Sequence, residues 1–333
     1  MSLRIFNMKL LFSFLCLVVL LSGCRWKETE TAEPLELLPD SVTSPIVARF
    51  KNATNITGYA LEKDRIWAAR FQSEGHNYSS VLTKDKLLST AMLSTEFPDS
   101  LKPDLKNLAI NGGVFSNLQK LETEGIFNAW QYKCDYLWHG DTYLLSWKRD
   151  GSSLTVNMIP DCKFEYKSYS IAQLPVKIQI FLAARNKELG VLVSEEYTVK
   201  IDPQGKKLYA MNVNYLGYGT VLDLLFDDNG DLVATGPFNY APYIVDNGNK
   251  PAKPVDDLSL INLPDNMMKK LTSRPGMDGF VKTQSLFAVW KSVYSGVTSY
   301  SASFSKGNES FSYRLNPAGE LLTMRYFGSK VTL

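Results

Sequence analysis

The chain has 333 residues, with 36 Lys and Arg against 34 Asp and Glu and a hydrophobic fraction of 45%. That apolar content sustains a packed core and excludes a disordered chain, while a net charge near zero removes the electrostatic basis for nucleic-acid binding. The length suits one large β domain or two ordinary ones.

Arg4 and Lys9 precede a run from Leu10 to Leu21 that is almost wholly apolar. Such a run fits the hydrophobic region of a signal peptide and is short for a membrane-spanning helix, which needs roughly 20 apolar residues. It closes on Leu21-Ser22-Gly23-Cys24. Those four residues resemble the lipobox of bacterial lipoproteins. The resemblance implies cleavage after residue 23, acylation of Cys24, and anchoring by more than one acyl chain, which makes attachment stable. Arg25 follows the cysteine where an aspartate would signal inner-membrane retention in enteric bacteria, so an outer-membrane anchor facing the periplasm is expected. Residues 24–43 are acidic and proline-broken and read as a flexible tether. The folded domain is then 44–333.

From Ser44 onward the pattern is short β-like runs separated by turn residues. Ile46 to Phe50, Ile66 to Phe71 and Leu108 to Asn111 read as strands. Thr83 to Thr95 stays between strand and helix, because Leu87, Leu88, Ala91 and Met92 have helical spacing within a Ser/Thr-rich stretch. Trp130, Tyr132, Cys134, Tyr136 and Trp138 fall two apart and share one face of a strand, with Gln131, Lys133 and Asp135 on the other. His139-Gly140-Asp141 and Arg149-Asp150-Gly151-Ser152 read as turns, with strands at Thr142 to Trp147, Leu154 to Ile159 and Cys162 to Tyr166. Further strands are expected at Val176 to Ala183, Val191 to Ser194, Tyr197 to Ile201, Leu208 to Tyr215, Val221 to Phe226, Leu232 to Thr235, Ser299 to Phe304, Phe311 to Leu315 and Leu321 to Phe327. Pro264 to Leu271 is the one expected helix, with Met267 and Leu271 four apart and Pro275-Gly276 as its stop. Residues 246–257 read as a long loop or subdomain boundary. Repeated hairpins of this kind point to an all-β domain: an irregular β-propeller first, packed β-sandwiches second.

Cys16 leaves with the leader and Cys24 takes lipid, so Cys134 and Cys162 remain as a pair in an oxidising compartment. A disulfide between them is expected, worth about 3–4 kcal/mol in the chain-entropy picture, ahead of two free thiols or half a metal site. It excludes a flat four-stranded meander, whose outer strands lie about 14 Å apart, because bridged Cα atoms sit within about 7 Å. The fourth strand must return beside the first or join a neighbouring sheet.

The sequence carries no G-x-S-x-G, H-E-x-x-H or P-loop. His139 beside Gly140-Asp141 reads as a hairpin turn rather than part of a triad. Asp227, Asn229 and Asp231 alternate as calcium ligands do, but Gly230 falls inside the trio and Asn239 stands where the distal glutamate belongs, so a β-turn accounts for them better. Ser303 to Lys306 matches S-x-x-K without its partner motifs. No catalytic residue, metal ion or cofactor is therefore assigned. Two stretches, 214–219 and 238–243, keep tyrosines among glycine and proline, and Tyr215, Tyr218, Tyr240 and Tyr243 are the expected partner-binding residues.

A lipid-anchored β domain of this kind resembles the periplasmic immunity lipoproteins that bacteria pair with phospholipase effectors of type VI secretion. That resemblance implies a protein that binds and neutralises a toxin, without enzymatic activity. An outer-membrane scaffold or assembly lipoprotein is the alternative, and a periplasmic hydrolase the third.

Overall fold

The structure, a computed structural model, describes residues 35–122, 131–160, 162–168, 170–185, 189–215, 220–237, 257–260, 263–281 and 286–331. Within these, two antiparallel sheets carry the fold. In the large one β1 (Glu36–Leu37), β2 (Thr54–Glu62), β3 (Ile66–Ser73), β4 (His76–Leu82), β5 (Leu87–Ser94), β6 (Val114–Leu121), β7 (Tyr132–Trp138), β8 (Asp141–Asp150) and β9 (Ser153–Pro160) follow one another as a meander. The sheet then continues through β19 (Leu321–Val331), β18 (Glu309–Leu315), β17 (Val297–Lys306), β16 (Leu286–Tyr294) and β15 (Asp257–Leu260). The small sheet holds β10 (Phe164–Ser168), β11 (Leu189–Ile201), β12 (Lys207–Tyr215), β13 (Thr220–Phe226) and β14 (Leu232–Pro237), in that order. The domain is all-β in its architecture, and its arrangement is the second of the two expected: packed open sheets rather than blades around an axis.

The turns follow their local chemistry. His139 and Gly140 have φ of 51° and 88°, and Ser295 and Gly296 have 52° and 78°, so both hairpins turn through two left-handed residues, which matches the twist of the flanking strands. Asp227 Oδ1 accepts the backbone N–H of Asn229 at 3.0 Å and of Asp231 at 2.9 Å. This side-chain-stabilised turn is what the Asp-Asn-Gly sequence favours.

Four helices pack on the sheets: α1 (Asp40–Arg49), α2 (Val176–Ala184), α3 (Asp265–Thr272) and α4 (Asp278–Val281). Only α3 is where the sequence placed a helix. Pro264 precedes it, Asp265 opens it, Lys269 and Lys270 close it in favour of the helix dipole, and Met267 and Leu271 are buried one turn apart. The expected tether end and the expected strand at Ile46–Phe50 give way to β1 and α1. Val42 and Ile46, four apart, bury against Trp67, Ala69, Phe71, Tyr78 and Leu82; Pro45 and the Ser/Thr content hide that spacing in the sequence. Val176 to Ala183 is also helical, not extended. Leu108 to Asn111 lies in a turn-rich segment without strand pairing. Thr83 to Thr95 resolves to strand β5, and residues 191–194 and 197–201 join in the single long strand β11, with register shifts at Leu192. Of the expected boundary at 246–257, only Asp257 lies within the described residues.

One face of the large sheet carries the principal core. Cys134, Tyr136 and Trp138 of β7 meet Leu145, Trp147, Val156, Met158, Phe304, Phe311, Tyr313 and Tyr326, covered by Met267, Leu271 and Phe280 of the helices. The inward face expected of β7 is therefore present from Tyr132 to Trp138, while Trp130 lies outside the described residues. Tyr136 fastens the segment that closes this core from above, donating its hydroxyl to the Ile110 carbonyl at 2.6 Å and accepting the Gly113 N–H at 2.8 Å.

The expected disulfide is not formed: Cys134 and Cys162 are free and buried. Cys134 pairs with Leu145 on β8 and faces the principal core, whereas Cys162 packs with Leu144 and Ile159 on the opposite face of the same sheet. Side chains of adjacent strand residues point to opposite faces, so the sheet itself stands between the two sulfurs. β10 does leave the meander for the neighbouring sheet, one of the two expected outcomes, without bringing the cysteines together.

The small sheet lies against the other face of the large one. Its aromatic and aliphatic side (Tyr166, Tyr197, Val199, Tyr209, Met211, Leu224 and Phe226) packs on Ile178 of α2, on Ile66 and Val81 of β3 and β4, and on Tyr294 of β16. Its other side meets the middle strands of the large sheet through charged and polar groups.

Candidate functional site

Helix α2 reads Val-Lys-Ile-Gln-Ile-Phe-Leu-Ala-Ala and is apolar nearly all round. Pro175 opens it, since a proline loses nothing at a helix start. Ile178 is fully buried on the small sheet and Phe181 and Leu182 lean on the same core. The opposite side has no cover among the described residues. Val176 is 67% exposed, Ile180 63% and Ile171, in the preceding turn, 43%; Ala183 and Ala184 continue the line. Positions 176, 180, 183 and 184 follow the i, i+4, i+7, i+8 spacing of one helix face, so the apolar side chains form a stripe along this 9-residue helix, with Ile171 in the turn before its start.

Both ends of the helix are tied down. At its start Lys177 Nζ lies 2.5 Å from Asp231 Oδ1 in the turn between β13 and β14. Gly230 of that turn, at φ +76°, leaves a Cβ-sized gap only 3.1 Å from the Lys177 Cβ, so the close approach depends on its missing side chain. At its other end the Arg185 guanidinium sits 3.8 Å from the centre of the Phe181 ring and donates to Ser295 Oγ. The helix stays at the β13–β14 turn end of the small sheet, with Phe181 against Phe226 at the close of β13. At the opposite end of the sheet Tyr215 closes β12 opposite Thr220, and β14 finishes at Pro237 opposite Leu222. Residues 216–219 and 238–243 both depart from it. Tyr218, Tyr240 and Tyr243 themselves, like Cys24, lie outside the described residues, and Tyr215 is placed by its backbone.

Compared with known proteins, the chain matches no family model and no curated protein. The surface chemistry therefore carries the functional reading alone.

The remaining polar clusters hold the fold together. Glu62, with a side chain 9% exposed, accepts the hydroxyls of Tyr166 and Tyr209 at 3.3 Å each and lies 3.1 Å from Arg65 and 4.0 Å from Lys207. Burial first, and the Glu62 charge next, push both tyrosines far above their ordinary range. Between the sheets Arg314 Nη2 meets Asp223 Oδ2 at 2.5 Å, with both side chains nearly buried, and Ser299 bonds both backbone groups of Thr235, at 2.8 and 3.1 Å. His139 is exposed at the tip of the β7–β8 hairpin, its ring edge against Trp138. Ser303 Oγ lies 3.3 Å from Ser312 Oγ across two strands. Among the described residues neither of these last two groups sits in a cluster with acid–base partners.

The stripe was not read as a site from the sequence. Its signal was present: three large β-branched residues and a phenylalanine at 176–181, with only Lys177 and Gln179 between them. A half-buried helix of ordinary character carries more polar residues on its outer face.

Proposed function

We propose that this protein is a lipid-anchored periplasmic lipoprotein that binds and neutralises a protein partner, in the manner of an immunity lipoprotein facing a lipase-type toxin. The observation that carries this reading is the uncovered apolar stripe of Ile171, Val176 and Ile180 on a helix pinned at both ends. A rigid exposed apolar patch bordered by polar groups marks an interaction surface. The acidic turn at one end, with Asp228 and Asp231 exposed, complements a partner with an apolar patch and a basic rim. The tyrosines at 215, 218, 240 and 243 are a second candidate contact in this reading, since tyrosine supplies large contact area at low entropic cost.

The test uses the mature chain from Cys24, wild type and V176E/I180E. The wild type captures a partner, and the variant, with an unchanged circular dichroism spectrum, binds that purified partner more weakly by about 2 kcal/mol or more. Tyr215→Ala weakens the same complex. A captured lipase-like toxin, with loss of cellular protection in the variant, supports the immunity reading; a membrane-assembly component supports the scaffold alternative. Equal binding by wild type and variant overturns the surface. So does a concentration-dependent dimer, or vesicle binding, that the variant abolishes.

A further inference from the structure

The chain spells Asn-Gly at 111–112, 229–230 and 247–248. The step at 247–248 lies outside the described residues. Such a step carries latent chemistry. Glycine has no Cβ to hinder its own backbone nitrogen, and that nitrogen can attack the side-chain amide of the asparagine before it. The attack needs a glycine N–H that is not engaged elsewhere and an asparagine with room to turn. The two described steps differ on both counts.

In the β13–β14 turn the attack is blocked. The Gly230 N–H donates to the Asp227 carbonyl at 2.9 Å. The Asp227 carboxylate accepts the Asn229 and Asp231 N–H groups as well, and Gly230 is buried against Lys177. The segment before β6 is held differently. The Ala109 N–H donates to Glu309 Oε2 at 2.7 Å, and the Asn111 N–H to the Leu108 carbonyl at 3.1 Å. The Asn111 carbonyl accepts the Trp138 Nε1–H at 3.1 Å, between the Ile110 carbonyl and the Gly113 N–H that are both bonded to Tyr136. Within this strap, and among the described residues, the Gly112 N–H and the Asn111 side chain make no hydrogen bond. Both residues are exposed. Gly112, at φ +93°, has nothing within 4 Å of the place a Cβ would take.

We propose that Asn111 is a self-modification site, at which the Gly112 nitrogen converts the asparagine to isoaspartate and so loosens the strap over the principal core. Hydroxide takes the Gly112 N–H proton, and the nitrogen bonds to Asn111 Cγ. The side-chain Cγ–N bond breaks, and its nitrogen leaves as ammonia with a proton from water. Water then opens the cyclic imide. Opening at the α-carbonyl gives isoaspartate, and opening at the other carbonyl gives aspartate. The balance is water in and ammonia out, with no oxidation. In isoaspartate the main chain runs through Cβ and Cγ and is one methylene longer. The carbonyl that met Trp138 becomes a free carboxylate on a branch. The spacing between Ile110 and Gly113 then no longer suits the single Tyr136 hydroxyl that holds both, and Tyr136 and Trp138 belong to the principal core.

The test ages the full mature chain at mildly alkaline pH, folded and in denaturant, and follows isoaspartate by enzymatic methyl labelling, with the site located by fragmentation of the labelled peptides. In denaturant the label should enter 111 and 229 at similar rates. In the folded protein 111 should run ahead of 229 by about tenfold or more, because the hydrogen bonds of the Asp227 turn must open before Gly230 can attack. The rate at 111 should rise with pH, since the deprotonated nitrogen is the nucleophile. Asn111→Gln, whose longer side chain closes the ring poorly, should take no label there. It should also keep its denaturation midpoint on ageing, while the aged wild type loses part of its own. The comparison of folded with unfolded wild type needs no variant to fold. Equal labelling of 111 and 229 in the folded protein, or label at 111 only in denaturant, overturns the site. Label at 111 with an unchanged midpoint overturns the loosening of the strap.

Discussion

Cys134 and Cys162 show how one residue's parity along a strand decides its chemistry. Each sulfur is enclosed by apolar neighbours, Cys134 in the principal core and Cys162 beside Leu144 and Ile159. Burial pushes the Cys162 thiol up from 9.0 to about 12 and the Cys134 thiol further still. The thiolate is the reactive species, so neither group has nucleophilic character near neutral pH. Both thiols are expected to resist a thiol reagent in the native protein and to react together on unfolding in denaturant. Non-reducing peptide mapping that recovered a 134–162 cross-link would contradict the placement of the two strands. The pairing of cysteines by elimination rested on compartment and count, and neither reports which face of a sheet a residue occupies. For the same reason the interior placement of Lys133, Ser146 and Asn157 was illegible. Each is a polar residue alternating with apolar ones, the pattern of a strand with one face in water, and only the second sheet, distant in sequence, makes that face an interior.

At the scale of the element, α2 separates what local pattern specifies from what it leaves open. Val176, Ile178 and Ile180 alternate as a strand does, and β-branched residues favour strands. Pro175 cannot serve inside a ladder, and the helix satisfies its first turn through the Ile178 and Gln179 N–H groups bonded to the Pro175 carbonyl at 2.9 and 3.1 Å. Winding the segment sends Ile178 inward and Val176 and Ile180 outward. Ile178→Ala is accordingly expected to cost about 2–4 kcal/mol of stability by opening a cavity on the small sheet. Ile180→Ala, two residues along, should stay within about 0.5 kcal/mol. Chemical denaturation measures both, and equal costs would mean that the segment is not helical. Elements whose determinants are local were legible: the His139-Gly140 hairpin, the Asp227 turn, α3 and the inward face of β7 all stand as their residues imply. Those whose determinants are tertiary were not, and α1, with Pro45 in its middle, is the plainest case.

At the scale of the whole molecule, buried phenols couple the two sheets to pH. Tyr166, Tyr197 and Tyr209 underlie the small sheet, while Tyr313 and Tyr326 lie in the principal core. Burial raises Tyr197 from 10.0 to about 12 and drives the other four higher. In the unfolded chain these groups ionise near pH 10, so their contribution is complete below that pH and is lost as pH rises above it. Tyr197 alone accounts for about 3 kcal/mol by pH 12. Lys200, lowered by its burial, works in the opposite sense. The protein should therefore unfold cooperatively between pH 10 and 12, and the tyrosinate absorbance of these five residues should appear with the loss of circular dichroism. Smooth ionisation of all tyrosines near pH 10 with the fold intact would contradict the buried placement.

The pairing of β9 with β19 has a further consequence, for the order of assembly. Residues 153–158 of β9 find their partners at 326–331, so the two halves of the large sheet are joined by a contact between segments far apart in the chain. Non-local pairing of this kind carries a large loop-closure cost and slows folding. As the chain emerges during synthesis, the meander β2 to β9 can form early by successive hairpins, but β9 then presents an unpaired edge until β19 arrives. An edge of that length is a template for association with other chains. The interval between the appearance of β9 and that of β19 is thus the vulnerable period of this protein's life, in which a holdase chaperone has a defined strand to shield.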